Sequence, residues 1–272
     1  MKIRSDWLFV WLEPRAWACF AVVVLVELVV RWPFHCIHSI PNYMEFRPDL
    51  FLVPLLGLAA GPAGAWGCFA ASLLGDVLYR FWSPLSLYHA TGLFFYSYST
   101  WRLWAFSLSG QREPPALSAG WRNSIRFLAC AFPGACMSAA WSGLGAELER
   151  LYPFAYYFGI LLLQHLLFLF LLGPVFYQLM SRQLAGRLGG CSKGWSDHLK
   201  DGRCSLRSLV YILTGGMGAG FAGILLSTSF YGISLFRPAQ FGSTSGPLMK
   251  AVVLGFLLLQ AAGLFRKDQR HE

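Results

Sequence analysis

The sequence predicts an all-α, polytopic membrane bundle, and three observations carry that prediction. Only 13% of the residues are charged while 56% are hydrophobic, with a mean hydropathy of +0.50. A soluble domain carries about 25% charged residues, so this chain has too few charges to clothe a water-soluble globule. Apolar runs of about 20 residues, the length that crosses a hydrocarbon core of about 30 Å, recur from end to end. These runs do not alternate apolar with polar as the strands of a transmembrane barrel do.

Seven candidate spans follow in order: 16–33, 50–80, 86–106, 123–145, 154–180, 206–232 and 248–265. The first is followed by Arg31 and Trp32 rather than a small-residue cleavage site, so it reads as a span and not a signal peptide. The second, "LVPLLGLAAGPAGAWGCFAASLLGDVL" between residues 52 and 78, is interrupted by Gly61-Pro62. One unbroken helix over 50–80 would measure roughly 46 Å at 1.5 Å per residue, too long for the bilayer core. Pro62 removes a helix hydrogen bond but suits the first turn of a new helix, and Gly61 can adopt a turn that other residues resist. The reading is a broken hairpin: a short helix at about 50–60, a turn at Gly61-Pro62, and a second helix to about 80. The short arm is shielded by its neighbours. The later spans carry Trp and Tyr near their ends, as interfacial belts require. The polar stretches 107–122 and 181–205 read as loops. The expected bundle has about six core helices and seven or eight membrane segments in a single domain over 1–272.

The net charge of +9 sits where a membrane protein uses it. With the hairpin and an inside N-terminus, 16 of the 22 Lys and Arg residues fall on the cytoplasmic side, leaving Arg31, Arg47, Arg80, Arg150, Arg237 and Lys250 outside. A single crossing by 50–80 from an inside N-terminus reverses the balance, to 7 of 22, which the positive-inside rule rejects. A single crossing from an outside N-terminus gives 15 of 22, so orientation is fixed from residue 86 onward but not before it. The preferred arrangement puts the C-terminus in the cytoplasm and loops 107–122 and 181–205 beside it. No basic helix or soluble domain provides a nucleic-acid surface. Of the seven cysteines none forms a CxxC pair, and those in apolar segments behave as small hydrophobes.

Pro54, Gly57-Leu58, Gly61-Pro62, Gly64-Ala65, Gly67 and Gly75-Asp76, followed by "YSYSTWRLW" at 96–104, form a pattern over roughly residues 47–104. This pattern resembles the substrate-binding membrane subunit (S-component) of energy-coupling-factor vitamin transporters. It equally resembles the related membrane domains of some bacterial sensor kinases and phosphatases. The resemblance implies a bundle in the bacterial cytoplasmic membrane with a small-molecule site near its extracytoplasmic face, capped by a loop. It also implies an ATPase-driven partner complex, with ATPase and coupling membrane subunits. Two departures stand out. The first span offers no clean pair of small residues four apart for docking a partner: Ala16, Trp17, Phe20 and Ala21 stand there. The signalling relatives continue into a catalytic domain, where this sequence has seven residues after its last span.

Candidate site residues follow from depth. Asp76 ends the second arm with Arg80 one turn later, which reads either as an i,i+4 ion pair or as a wall of a solute pocket. His89, Glu147, Tyr156 and Tyr157 lie at the same level and would line the same mouth. The loop 33–49 carries His35, Cys36 and His38, suited to a lid over a solute. A closed metal site there would need a fourth ligand, and none stands near. Glu27 lies inside the first span, where carboxylates are rare and suggest function; Gln164 or His165 across the bundle are its expected partners. "GAGFAG" at 218–223 matches a dinucleotide fingerprint, but no strand precedes it, and its glycines read as helix-packing faces. No nucleophile elbow, metalloprotease motif or paired catalytic carboxylates occur, so neither enzymatic chemistry nor a cofactor is expected. The leading expectation is small-solute binding for uptake; the other is a sensory or scaffold domain acting through a separate signalling partner.

Overall fold

A computed structural model describes residues 14–35, 37–40, 44–108, 120–187, 205–232, 242 and 244–265. Among these residues there are eight α-helices: α1 (Pro14–Arg31), α2 (Leu52–Leu78), α3 (Pro84–Leu108), α4 (Trp121–Leu148), α5 (Phe154–Leu171), α6 (Gly173–Arg187), α7 (Leu206–Tyr231) and α8 (Pro247–Phe265). Six helical segments are long and apolar enough to cross a bilayer, and the chain is a polytopic helical membrane bundle. One element departs from an all-helical expectation. His38–Ile40 and Met44–Glu45 pair antiparallel as a two-stranded ribbon, His38 opposite Glu45. Within a short loop, pairing the strands satisfies backbone groups that a helix too short to nucleate would leave open.

The hairpin at 50–80 is present. Gly61 has φ 55° and ψ −130°, a backbone state that a residue with a Cβ resists, and Pro62 opens the second arm. Close contacts establish the reversal. A Cβ built on Gly64 would lie 2.8 Å from the Leu56 carbonyl carbon and 3.3 Å from Gly57 Cα. In a straight helix, positions 56 and 64 would stand about 12 Å apart at 1.5 Å per residue. Gly67 packs on Val23 and Gly75 on Arg31, so the second arm runs parallel to α1. Arg47, just before the first arm, meets Ser72 on the second arm at 3.5 Å.

α1 explains itself by its spacing. Val23, Glu27 and Arg31, four residues apart, form one buried stripe, while Val22, Leu25, Val26 and Val29 face outward, as a lipid-facing helix requires. The glycines of α2 accept that stripe at close range. α3 buries the polar side chains of Ser97, Ser99, Thr100 and Arg102 in succession along its length. It tolerates them because α2 and α4 pack on either side of it. Close contacts of Gly92 on Ser138, Gly134 on Tyr96 and Gly145 on Tyr88 run α4 antiparallel to α3. α5 and α6 form one long helix broken at Leu172, two residues before Pro174. α6 runs to Arg187, seven residues into the stretch 181–205 read as a loop. Ser205 caps α7 by accepting from the Ser208 amide, and left-handed Gly232 ends it. The glycines at 215–223 pack on Gln260, Phe256, Phe158 and Phe154, a helix-packing face and no nucleotide loop.

These directions collect the C-terminal ends of α1, α2, α4 and α7 with the N-terminal ends of α3, α5 and α8. The ribbon lies at this end, which is called the ribbon end below. The Gly61 tip points away from it, into the bundle.

Candidate functional site

Arg47 is the centre of a buried ionic cluster just inside the ribbon end. It reaches the interior because Pro48–Phe51 forms a short 3-10 turn with all four residues buried, leading directly into α2. Its guanidinium bonds Asp49 (Nη2 to Oδ2, 2.5 Å), Glu27 of α1 (Nη2 to Oε1, 3.3 Å) and Ser72 of α2, and donates from Nη1 to His89 Nε2 of α3 at 2.9 Å. Its backbone N–H donates to Gln164 Oε1 of α5 at 3.3 Å. One loop residue therefore ties together α1, α2, α3 and α5. Beside it Arg31 of α1 forms a salt bridge with Asp76 of α2, and donates to the Ser72 carbonyl at 3.2 Å. The exposures decide how to weigh these pairs: Glu27 and Asp49 are 0% exposed, Arg31 2%, Arg47 3% and Asp76 4%. Removing one member of such a pair strands the other, at a cost of about 3–5 kcal/mol.

The cluster continues inward through neutral groups. Arginine only donates, so His89 Nε2 is the acceptor and its Nδ1–H donates to Ser142 Oγ at 3.3 Å. Ser142 donates to the Ser138 carbonyl at 3.0 Å. His165 Nδ1 faces the Leu161 carbonyl at 2.8 Å and must be the protonated nitrogen, so its Nε2 accepts from Ser138 Oγ at 3.1 Å. The network thus assigns the Nδ1–H tautomer to both histidines.

A cavity of about 30 Å³ opens against this cluster, walled by Arg31, Arg47, Asp76, His89 and Tyr157 on its polar side and by Leu85 and Leu161 on its apolar side. It has room for about two water molecules.

Of the residues selected from sequence, the structure brings Asp76, His89 and Tyr157 to this one cavity. Asp76 is not paired with Arg80. α2 ends at Leu78, Arg80 is exposed with φ 59°, and the carboxylate turns to Arg31 instead. His35 lies outside the cavity, its ring stacked on Tyr79 at 5.0 Å, with the Arg31 guanidinium 5.5 Å from the Tyr79 ring centroid. The side chain of His38 and residue Cys36 lie outside the described residues, and among the described residues no group of three metal-binding side chains occurs. Glu147 is engaged elsewhere. Its carboxylate accepts from Phe154 N at 2.8 Å, the first amide of α5, and from the backbone and hydroxyl of Ser245, just before α8. It clasps two helix N-termini, where a carboxylate also meets a favourable dipole. Tyr156 packs against Tyr152 away from the cavity. Glu27 pairs with Arg47 rather than Gln164 or His165.

Sequence reasoning missed Arg31, Arg47, Asp49 and Ser72. The signal existed in two places. Arg31 stands four residues after Glu27, on the same face of α1. "FRPD" at 46–49 puts opposite charges on either side of a proline immediately before an apolar run. No family model, curated protein or solved structure matches the chain.

Proposed function

We propose that the chain is a membrane-embedded small-solute-binding protein of the S-component kind, taking up a vitamin-like or other small organic molecule at its ribbon end. The observation that carries this reading is the Arg47 anchor. Arg47 lines the cavity and makes polar contacts to His89 and Ser72, contacts that the polar groups of a solute can replace. On this reading the Arg47 contacts give way when a solute enters, and the 30 Å³ cavity is the site in its closed form. The ribbon end would face outward. The other end joins the segments that carry 16 of the 22 basic residues, and at the ribbon end Arg31 and Arg47 are buried in ion pairs. This supports a bacterial cytoplasmic-membrane location with a cytoplasmic C-terminus.

The small size of the cavity favours one second reading, a sensory or scaffold domain whose ionic cluster is structural. Affinity purification in mild detergent, with mass spectrometry of the accompanying proteins, separates the two. Stoichiometric recovery of ATPase and coupling membrane subunits is expected for the solute-binding reading. Recovery of a kinase or phosphatase, or of no partner, would contradict it and favour the sensory one.

A further inference from the structure

We infer that Glu27 is a proton-binding site, its carboxyl neutral in this arrangement, and that release of the proton shifts Arg47's contacts from His89 toward Glu27. Two observations carry this. Among the described residues the cluster sets three carboxylates, Glu27, Asp49 and Asp76, against two guanidiniums, Arg31 and Arg47. Arg31 is taken by Asp76. Arg47 lies 2.5 Å from Asp49 but 3.3 Å from Glu27, so Glu27 is the group left over from two neutral pairs. Independently, Glu27 is wholly buried and its second oxygen, Oε2, has no hydrogen-bond partner. A bare carboxylate oxygen inside a membrane bundle is far costlier than a bare neutral carboxyl.

The groups facing Glu27 do not supply the missing charge. On α1 itself Arg31, one turn on, is committed to Asp76. On α2 the Cys68 thiol hydrogen-bonds the carboxyl but brings no charge to it. From the segment before the hairpin come Arg47 and the like-charged Asp49. On α3, His89 accepts from Arg47 and so is neutral. When the Glu27 O–H bond gives its proton to water, the carboxylate adds one negative charge to the cluster. Arg47 is then drawn toward Glu27 and away from Asp49 and His89. The consequence for a solute rests on the solute-binding reading above; the proton site does not.

Infrared spectroscopy of the purified full chain at neutral pH tests the site directly. A protonated-carboxyl C=O stretch is expected in the wild type, absent in Glu27→Gln and shifted in Glu27→Asp. No such band in the wild type, or a band unchanged by Glu27→Gln, would overturn the assignment. If Glu27→Gln fails to fold, the shift in Glu27→Asp decides. Hydrogen–deuterium exchange over 44–51, corrected for the intrinsic pH dependence, is expected to change with pH in the wild type and to stay flat in Glu27→Gln. Identical profiles would overturn the link to Arg47. Neither readout involves a solute, so failure here and failure of the solute-binding reading are separate results.

Discussion

Gly64 packs against the backbone of Leu56, eight positions earlier in the chain, with the Leu56 carbonyl carbon 2.8 Å from where a Gly64 Cβ would stand. That contact makes the second hydrophobic run a hairpin, and the hairpin brings Arg47 and Asp49 level with Ser72 and Asp76.

Gly64→Ala should therefore be destabilising, because the obstacle is backbone and cannot rotate away; overpacking of this kind costs about 1–3 kcal/mol. Gly255→Ala is the matched control. It lies in α8 with open space around it, and replacing a helical glycine there should gain roughly 0.5–1 kcal/mol. Thermal denaturation of both variants in one detergent gives the comparison, and equal effects would argue against the hairpin contact.

The Arg31–Asp76 bridge should behave as a buried pair. Arg31→Met or Asp76→Leu alone should cost about 3–5 kcal/mol, and the double variant much less than the sum. Strictly additive losses in a double-mutant cycle would mean that the two side chains do not depend on each other.

Glu147 should matter to stability and not to solute binding. Glu147→Ala orphans the amides of Phe154 and Ser245, each a loss of about 1–3 kcal/mol when buried. Tyr156→Phe, outside the cavity, should be close to neutral. A Glu147→Ala variant of wild-type melting temperature would contradict the clasp.

Arg150, two residues past the end of α4, has φ 54°, a left-handed state that costs a residue with a Cβ roughly 1–2 kcal/mol. Arg150→Gly should raise the melting temperature, by up to about 1 kcal/mol of stability after glycine's entropy is counted. A lower melting temperature would show that the side chain does more than its backbone position indicates.

What the sequence made legible is what depends on local chemistry. Six of the seven spans, and the turn at Gly61-Pro62, follow from hydropathy, helix length and the conformational reach of two residues. α3, over the span read at 86–106, is a helix but not one of the six apolar enough to cross. The polar partnerships were not legible, because each is set by tertiary placement. Asp76 has Arg80 four positions away but pairs with Arg31, 45 positions away, since α2 ends before Arg80 can complete a turn. Glu147 shares the depth of Asp76 and His89, yet it is claimed by two helix N-termini that the sequence alone does not bring together. The basic residues near span ends were read as topological charges. Two of them, Arg31 and Arg47, fold inward to the buried carboxylates of Asp76 and Asp49.

The most direct test of a solute site at the ribbon end is native mass spectrometry of the protein released from detergent, wild type beside His89→Ala. His89 lines the cavity and receives one Arg47 hydrogen bond, so its loss alters the site while leaving the salt bridges in place. The expected result is a small organic adduct on the wild type, near one per chain, that is lost from a folded His89→Ala protein. An adduct of equal occupancy on both proteins, or none on either, would contradict a solute site built around Arg47 and His89.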